Sequence, residues 1–261
     1  MCTVSIIPIS GGVRLVTNRD EKRVRPEAEF PRHFGPGDLA VGPLDTAAGG
    51  TWVAARPGLI LCLLNMKTAT PPPPPEPSLA LSRGTIIPDL IGAEGIDEAY
   101  ETLARLDLPR MLPFRLLGVE VGPNHTRTAI ARWDGAALEA PMDAVASPPL
   151  ALASSGLGDA LVQRRLPQFA AMLEASGPTP AMQDAFHRFR WPEADHTSVL
   201  MSRPDARTVS ITEALVTARS ATMHYRVVRD GGVIEEASTA SAANHPRSAG
   251  AAPRGVAGPL H

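Results

Sequence analysis

Apolar and β-branched residues run from Cys2 to Ile9, stop at Ser10-Gly11-Gly12, and resume over Val13–Thr17. Two such runs about a glycine-rich turn predict a β-hairpin. Folding about Ser10 and Gly11 pairs residues whose numbers sum to about 21 or 22, which sets Cys2 opposite Arg19 or Asp20. A slip of one residue would reverse the two faces. Pro8 cannot donate to a ladder and predicts a bulge or an edge near the turn.

The pattern then changes several times. Glu27–Pro43 is rich in Pro, Gly and charge and reads as a long surface loop. Gly49-Gly50 precedes a strand over Thr51–Ala55, and a turn at Pro57-Gly58 leads to an apolar strand over Leu59–Leu64. Pro71–Pro75 marks an inserted extended loop, residues 70–78. Helical spacing leans in over Ser82–Ile91 and is clear over Ile96–Leu106, where Ile96, Ala99, Tyr100, Leu103 and Leu106 share a face. Strands follow at Leu116–Val121, Thr126–Trp133 and Ala137–Glu139, the last two about Asp134-Gly135. Helices are expected over Leu157–Leu173, with Pro167 as a kink, and over Ala181–Phe189. Ser198–Met201, Thr208–Glu213 and Met223–Val228 return to strand, with a turn at Asp230-Gly231-Gly232. Periodicity ends near Glu236, so one domain over residues 1–236 and a disordered tail over 237–261 are expected. Strands, then helices, then strands again define an α+β layered fold with two mainly antiparallel sheets packed between helices.

Composition narrows the partners. The 261 residues are 44% hydrophobic and 20% charged with formal net charge −2, enough for a substantial core and without the basic excess of a nucleic-acid binder. No apolar stretch of about 18 residues is present, so no transmembrane helix is expected. The N-terminus lacks the charged and apolar segments of a secretory signal, which points to the cytoplasm. Cys62 lies inside Leu59–Leu64 and reads as a buried, inert thiol. The seven histidines show no metal-ligand spacing, and neither a metal nor another cofactor is expected.

Chemistry concentrates at the start. Removal of Met1 leaves Cys2 with both a thiol and its own α-amine, whose ordinary pKa of about 7.7–8.0 suits general-base work. Such a residue needs no catalytic histidine. Arg19 opposite the thiol would lower its pKa, and Asp20 would orient the amine by charge-assisted hydrogen bonds. Asn18 is a candidate substrate contact, and Trp52 is either a core anchor or a second contact. The plainer alternative is a surface hairpin that ends in a charged turn.

Met1-Cys2-Thr3-Val4, Asn18-Arg19-Asp20-Glu21, Gly49-Gly50-Thr51-Trp52, Leu63-Leu64-Asn65, Ser82-Arg83-Gly84 with Ile87-Pro88, and Pro113-Phe114-Arg115-Leu116-Leu117 follow one another over roughly residues 1–230. In this order they resemble the NRDE family, also called transport-and-Golgi-organisation 2-like. The resemblance implies a branch of the N-terminal-nucleophile hydrolases, with their four-layer αββα sandwich and relatives that cleave amide bonds with an N-terminal cysteine. It implies Cys2, Arg19 and Asp20 as catalytic residues, and Asn65 as an oxyanion donor or else a strand-end asparagine. The chain departs from the acylase pattern at Ala151-Leu152-Ala153-Ser154-Ser155-Gly156, where serines stand in place of an asparagine. Ser154 and Ser155 either donate a hydrogen bond to substrate or cap the following helix. Arg207 and Arg219 are the candidates, by order, for a late catalytic arginine. The function implied is amidohydrolysis of a non-peptide C–N bond in a small substrate. The alternative is a non-catalytic binder of a small hydrophobic ligand such as haem or lipid.

Overall fold

The computed structural model describes residues 2–68, 73–140, 148–155 and 157–243. Its first hairpin joins β1 (Cys2–Ile9) to β2 (Gly12–Lys22) through a turn in which Gly11 takes φ 72°. Of the two registers the turn allowed, the one adopted sets Cys2 against Arg19. β2 outruns Val13–Thr17 and carries Asn18, Arg19 and Asp20 inside the sheet, each 5% exposed or less. The exposed charged turn of the plainer reading is therefore not formed.

Seven strands build a second sheet in chain order: β3 (Glu29–Phe34), β4 (Ala40–Leu44), β5 (Val53–Arg56), β6 (Leu59–Asn65), β7 (Phe114–Val121), β8 (Thr126–Trp133) and β9 (Leu138–Glu139). Two helices, α1 (Ile86–Leu90) and α2 (Ile96–Leu103), interrupt that series. The chain then returns to the hairpin's own sheet. Its edge strand β10 (Leu150–Ser154) is followed by helices α3 (Arg165–Ser176) and α4 (Pro180–His187) and by β11 (Ala206–Thr217), β12 (Ser220–Val228) and β13 (Ile234–Ala243). The order across this six-stranded sheet is β10-β1-β2-β11-β12-β13, and all its pairings are antiparallel. Pro8 stays in register with Val13 without a bulge, and β10 ends its pairing at Ile6–Leu150. The missing N–H thus falls beyond the end of that ladder.

Alternation along the strands sorts the layers. Val4, Ile6, Val13 and Leu15 point inward against Val53, Ile60, Cys62 and Leu117 of the second sheet. Ile86, Ile87 and Tyr100 of α1 and α2 cover the outer face of that sheet over Leu59, Leu61 and Leu116. Phe169, Met182 and Phe186 of α3 and α4 cover the first sheet over Ile7. Burying each such side chain contributes about 1.5–3 kcal/mol. The result is an α+β fold in four layers, helices–sheet–sheet–helices. Among the described residues, no helix is long and apolar enough to cross a membrane.

Several boundaries differ from the pattern. Glu27–Pro43 is not a loop but contains β3 and most of β4. Pro31 is tolerated there because β3 is an edge strand with an irregular register. The helix expected from Leu157 begins at Arg165, and Pro167 lies in its first turn, where amide groups have no intrahelical partner. Ser198–Met201 pairs in no strand and follows a 3-10 turn. β13 runs to Ala243, so a disordered tail does not begin at residue 237; backbone pairing with β12, not an apolar pattern, orders those alanines and serines. Residues 244–261 of that tail, and Pro71 and Pro72 of the proline run, lie outside the described residues.

Candidate active site

Residues paired directly across antiparallel strands share a face. Cys2 and Arg19 therefore look toward the second sheet, whereas Thr3, Asn18 and Asp20 look toward α3 and α4. The Asn-Arg-Asp-Glu segment is divided between two environments.

On the inner face lies a cavity of ≈ 230 Å³ whose lining includes Cys2, Arg19, Asp45, Trp52, Asn65 and Arg83. Arg19 donates to Asp45 at 2.7 Å and stacks over the Trp52 ring at 4.4 Å. Arg25 donates to the same Asp45 oxygen at 2.7 Å. Against its burial, Asp45 is held below the usual carboxylate range by Arg25 and Arg19. Burial pushes the Cys2 thiol up and the Asp20 charge adds to this; Arg19 and a hydrogen bond from the Asp20 backbone pull the other way. The expected lowering by Arg19 is present, but desolvation outweighs it.

Two segments far apart in sequence close the cavity together. Thr51 N–H donates to the Gly84 carbonyl at 2.9 Å, and a Cβ on Gly50 would lie 2.0 Å from that oxygen. Only glycine permits the approach, which explains Gly49-Gly50-Thr51-Trp52 and Ser82-Arg83-Gly84 as one contact. Ser82 accepts from Gly84 N–H at 3.1 Å, tightening the turn, and Arg83 donates to the Pro113 carbonyl at 2.7 Å. Trp52 is 8% exposed in the core, as expected of an anchor, and also lines the cavity. Asn65, exposed at the end of β6, lines it too.

Behind the hairpin, the outer face is closed. Asp20 accepts from the Thr208 hydroxyl at 2.6 Å and from Arg165 at 3.3 Å. Arg165, 0% exposed, also donates to the Thr3 hydroxyl at 2.6 Å and the Thr197 carbonyl at 3.0 Å. Desolvation raises the Asp20 carboxyl and lowers the Arg165 guanidinium, and each charge opposes the penalty on the other. Arg165 was not singled out in the sequence, because it is one of two adjacent arginines on a helix with no motif around it.

The other expected site residues fall elsewhere. Asn18 is fully buried on the outer face, donating to the His187 and Val199 carbonyls at 3.0 and 2.9 Å. Its Oδ1 accepts from His187 Nδ1 at 2.8 Å, which leaves Nε2 to accept from the Ser5 hydroxyl at 2.7 Å. Its amide is spent on this network, and Asn18 does not line the cavity. Ser154 lies opposite Cys2 across β1 and β10, but is 0% exposed and does not line the cavity. Ser155 caps a turn, accepting from Leu157 N–H at 3.1 Å. Arg207 faces an adjoining cavity of ≈ 90 Å³ and lies 3.4 Å from Asp230. Arg219 sits in the β11–β12 turn beside Gly11, at the opposite end of the strands. Neither late arginine reaches Cys2. Arg165 holds the position behind Asp20.

Fold and cleft together define a four-layer α+β protein whose first strand begins with a cysteine opening onto a polar cavity. The family Transport and Golgi organisation 2 matches residues 12–174, and the chain belongs to that family. The matched span contains Arg19, Asp45, Trp52, Asn65, Arg83 and Arg165, and begins after β1. No curated protein matches the chain.

Proposed function

We propose that this protein is a cysteine N-terminal-nucleophile amidohydrolase, cleaving a non-peptide C–N amide bond of a small substrate once Met1 has been removed. One observation carries the reading: Cys2 stands at the head of β1 on the wall of the cavity, paired across the hairpin with Arg19 and hydrogen-bonded by the Asp20 backbone. The α-amine of Cys2 takes the thiol proton as sulfur attacks the carbonyl carbon. It then gives that proton to the nitrogen as the C–N bond breaks and the amine leaves. Water, deprotonated by the same amine, attacks the thioester, and the acid departs with Cys2 restored as a thiol. Burial works against the thiolate, which gives an adjacent base work to do. Asp20, fixed by Thr208 and Arg165, orients the amine, and the Asn65 amide donates to the oxyanion.

A carrier for haem or another hydrophobic ligand is the weaker reading, because charged side chains from β2, the 45–50 loop and the Ser82–Gly84 turn line the cavity. Labelling with a set of electrophilic acyl probes, followed by peptide mapping, tests the choice. Adducts are expected on Cys2 and are lost in Cys2→Ala. Adducts confined to Cys62, or none with any probe, contradict the enzymatic reading.

A further inference from the structure

Charge around the cavity does not balance locally. The acidic residues along it are Asp20, whose carboxylate turns to the outer face, Glu21 and Asp45, and each faces an arginine. Asp20 has Arg165 at 3.3 Å; Asp45 has Arg19 and Arg25 at 2.7 Å each; Glu21 has the same two arginines at 3.6 and 3.5 Å. Arg83 is different. Among the described residues no carboxylate lies within ion-pair distance of it, and its one hydrogen bond there goes to the Pro113 carbonyl. It is half-buried, and desolvation lowers its guanidinium to about 10, opposed only by Cys2. A desolvated cation without a counter-charge is costly unless something supplies one.

The guanidinium is also held in place. The Gly50–Gly84 contact, the Ser82 cap and the Pro113 carbonyl fix the turn that presents it. Trp52 lines the same cavity, and its indole Nε1 is buried with no partner among the described residues. At ≈ 230 Å³ the space is smaller than the roughly 300–1,000 Å³ of pockets for drug-sized ligands, which suits a compact substrate.

We infer that Arg83 binds a carboxylate on the substrate, so that the site takes small anionic amides of the N-acyl amino acid class. The substrate carboxylate supplies the counter-charge that the protein leaves out, and a guanidinium suits the planar group. The assignment of an amide rests on the hydrolase reading above; the preference for an anion does not.

Binding to the Cys2→Ala protein, measured calorimetrically, separates the two. The probes are N-butanoylglycine, its neutral counterpart N-butanoylglycinamide, and N-butanoylaminomethylphosphonate. The glycine conjugate is expected to bind about ten- to a hundredfold more tightly than the amide, the range of a charge-assisted hydrogen bond. Arg83→Met is expected to erase that difference while leaving the neutral probe unchanged, and Arg83→Lys to keep part of it. Equal binding of the first two probes, equal weakening of both by Arg83→Met, or no binding of the glycine conjugate at millimolar concentration overturns the inference. Preference for the phosphonate alone overturns the carboxylate assignment. Should Arg83→Met fail to fold, the comparison of probes on the Arg83-containing protein still decides. Charge-selective binding with no turnover by the Cys2-containing protein keeps this inference and removes the hydrolase. Turnover of the glycine and glycinamide probes with equal kcat/KM does the reverse.

Discussion

The two faces of the β1–β2 hairpin are both polar and both buried, yet they are built for different ends. Behind the hairpin, Thr3, Ser5, Asn18 and Asp20 are hydrogen-bonded to α3, α4 and the 187–199 segment, and the guanidinium that joins them, Arg165, has only its Nη2 left over among the described residues. Gln183 adds to it by donating to the Ser5 hydroxyl at 2.8 Å. In front, Cys2 and Arg19 meet a cavity in which Trp52 Nε1 is left without a partner and Arg83 without a carboxylate among the described residues. A satisfied buried network holds a structure together; donors left over beside open space are available to a ligand. The polarity of a motif therefore says little until its residues are assigned to a face.

If that contrast holds, substitutions behind the hairpin cost stability and those in front cost turnover. The largest loss is expected for Arg165→Met, which strands the Asp20 charge and destabilises by about 3–5 kcal/mol in urea unfolding. A change below about 1 kcal/mol would mean that the outer face is not closed as described. Asn65→Ala lies on the open side at an exposed strand end. Its unfolding midpoint is expected to hold while turnover of an acyl substrate falls about 10²–10³-fold; a loss of stability with unchanged turnover would invert the comparison.

A pH series probes the closed face next. Burial, aided by Arg14 and Arg165, lowers His187 to about 3 from an ordinary 6.5. Between those values the unfolded chain binds the proton and the native ring does not, so stability is complete above about pH 6.5 and falls as pH falls. At pH 5 the loss from this one group is about 2 kcal/mol. Comparing unfolding free energies of the parent and His187→Gln at pH 7 and pH 5 isolates it, and identical pH slopes would show that the ring is not held neutral. The smallest effect is expected for Ser154→Ala. Its buried Oγ has no partner among the described residues to lose, so stability shifts by less than about 1 kcal/mol.

How much of this was readable beforehand depends on what each feature rests on. That Cys2 meets Arg19 or Asp20 follows from turn chemistry and strand alternation, both local, and was legible; which of the two it faces was not. So were the α+β class and the separate strands of the Asp134-Gly135 hairpin. Glu27–Pro43 misled because its edge strand is ordered by backbone pairing despite Pro31, and β13 misled for the same reason in an Ala- and Ser-rich stretch. Asn18 shares a motif with Arg19 but not a face, and only the helices behind it reveal where its amide goes. Arg165 reaches Asp20 across 145 residues of chain, a contact with no periodicity to announce it. Arg83 stood within a recognisable tripeptide, but its lack of a counter-charge is a property of the assembled cavity.

The central claim is that Cys2, freed of Met1, acts as nucleophile in this cavity. Its most direct test is intact-mass analysis of the purified protein before and after brief mixing with an activated short-chain acyl ester, quenched in acid and mapped by peptide. The expected result is a protein lacking Met1 that gains one acyl group on the Cys2 sulfur, with the α-amine still free. Met1 retained on a protein that turns substrate over, or acyl groups found on Cys62 alone, would contradict it.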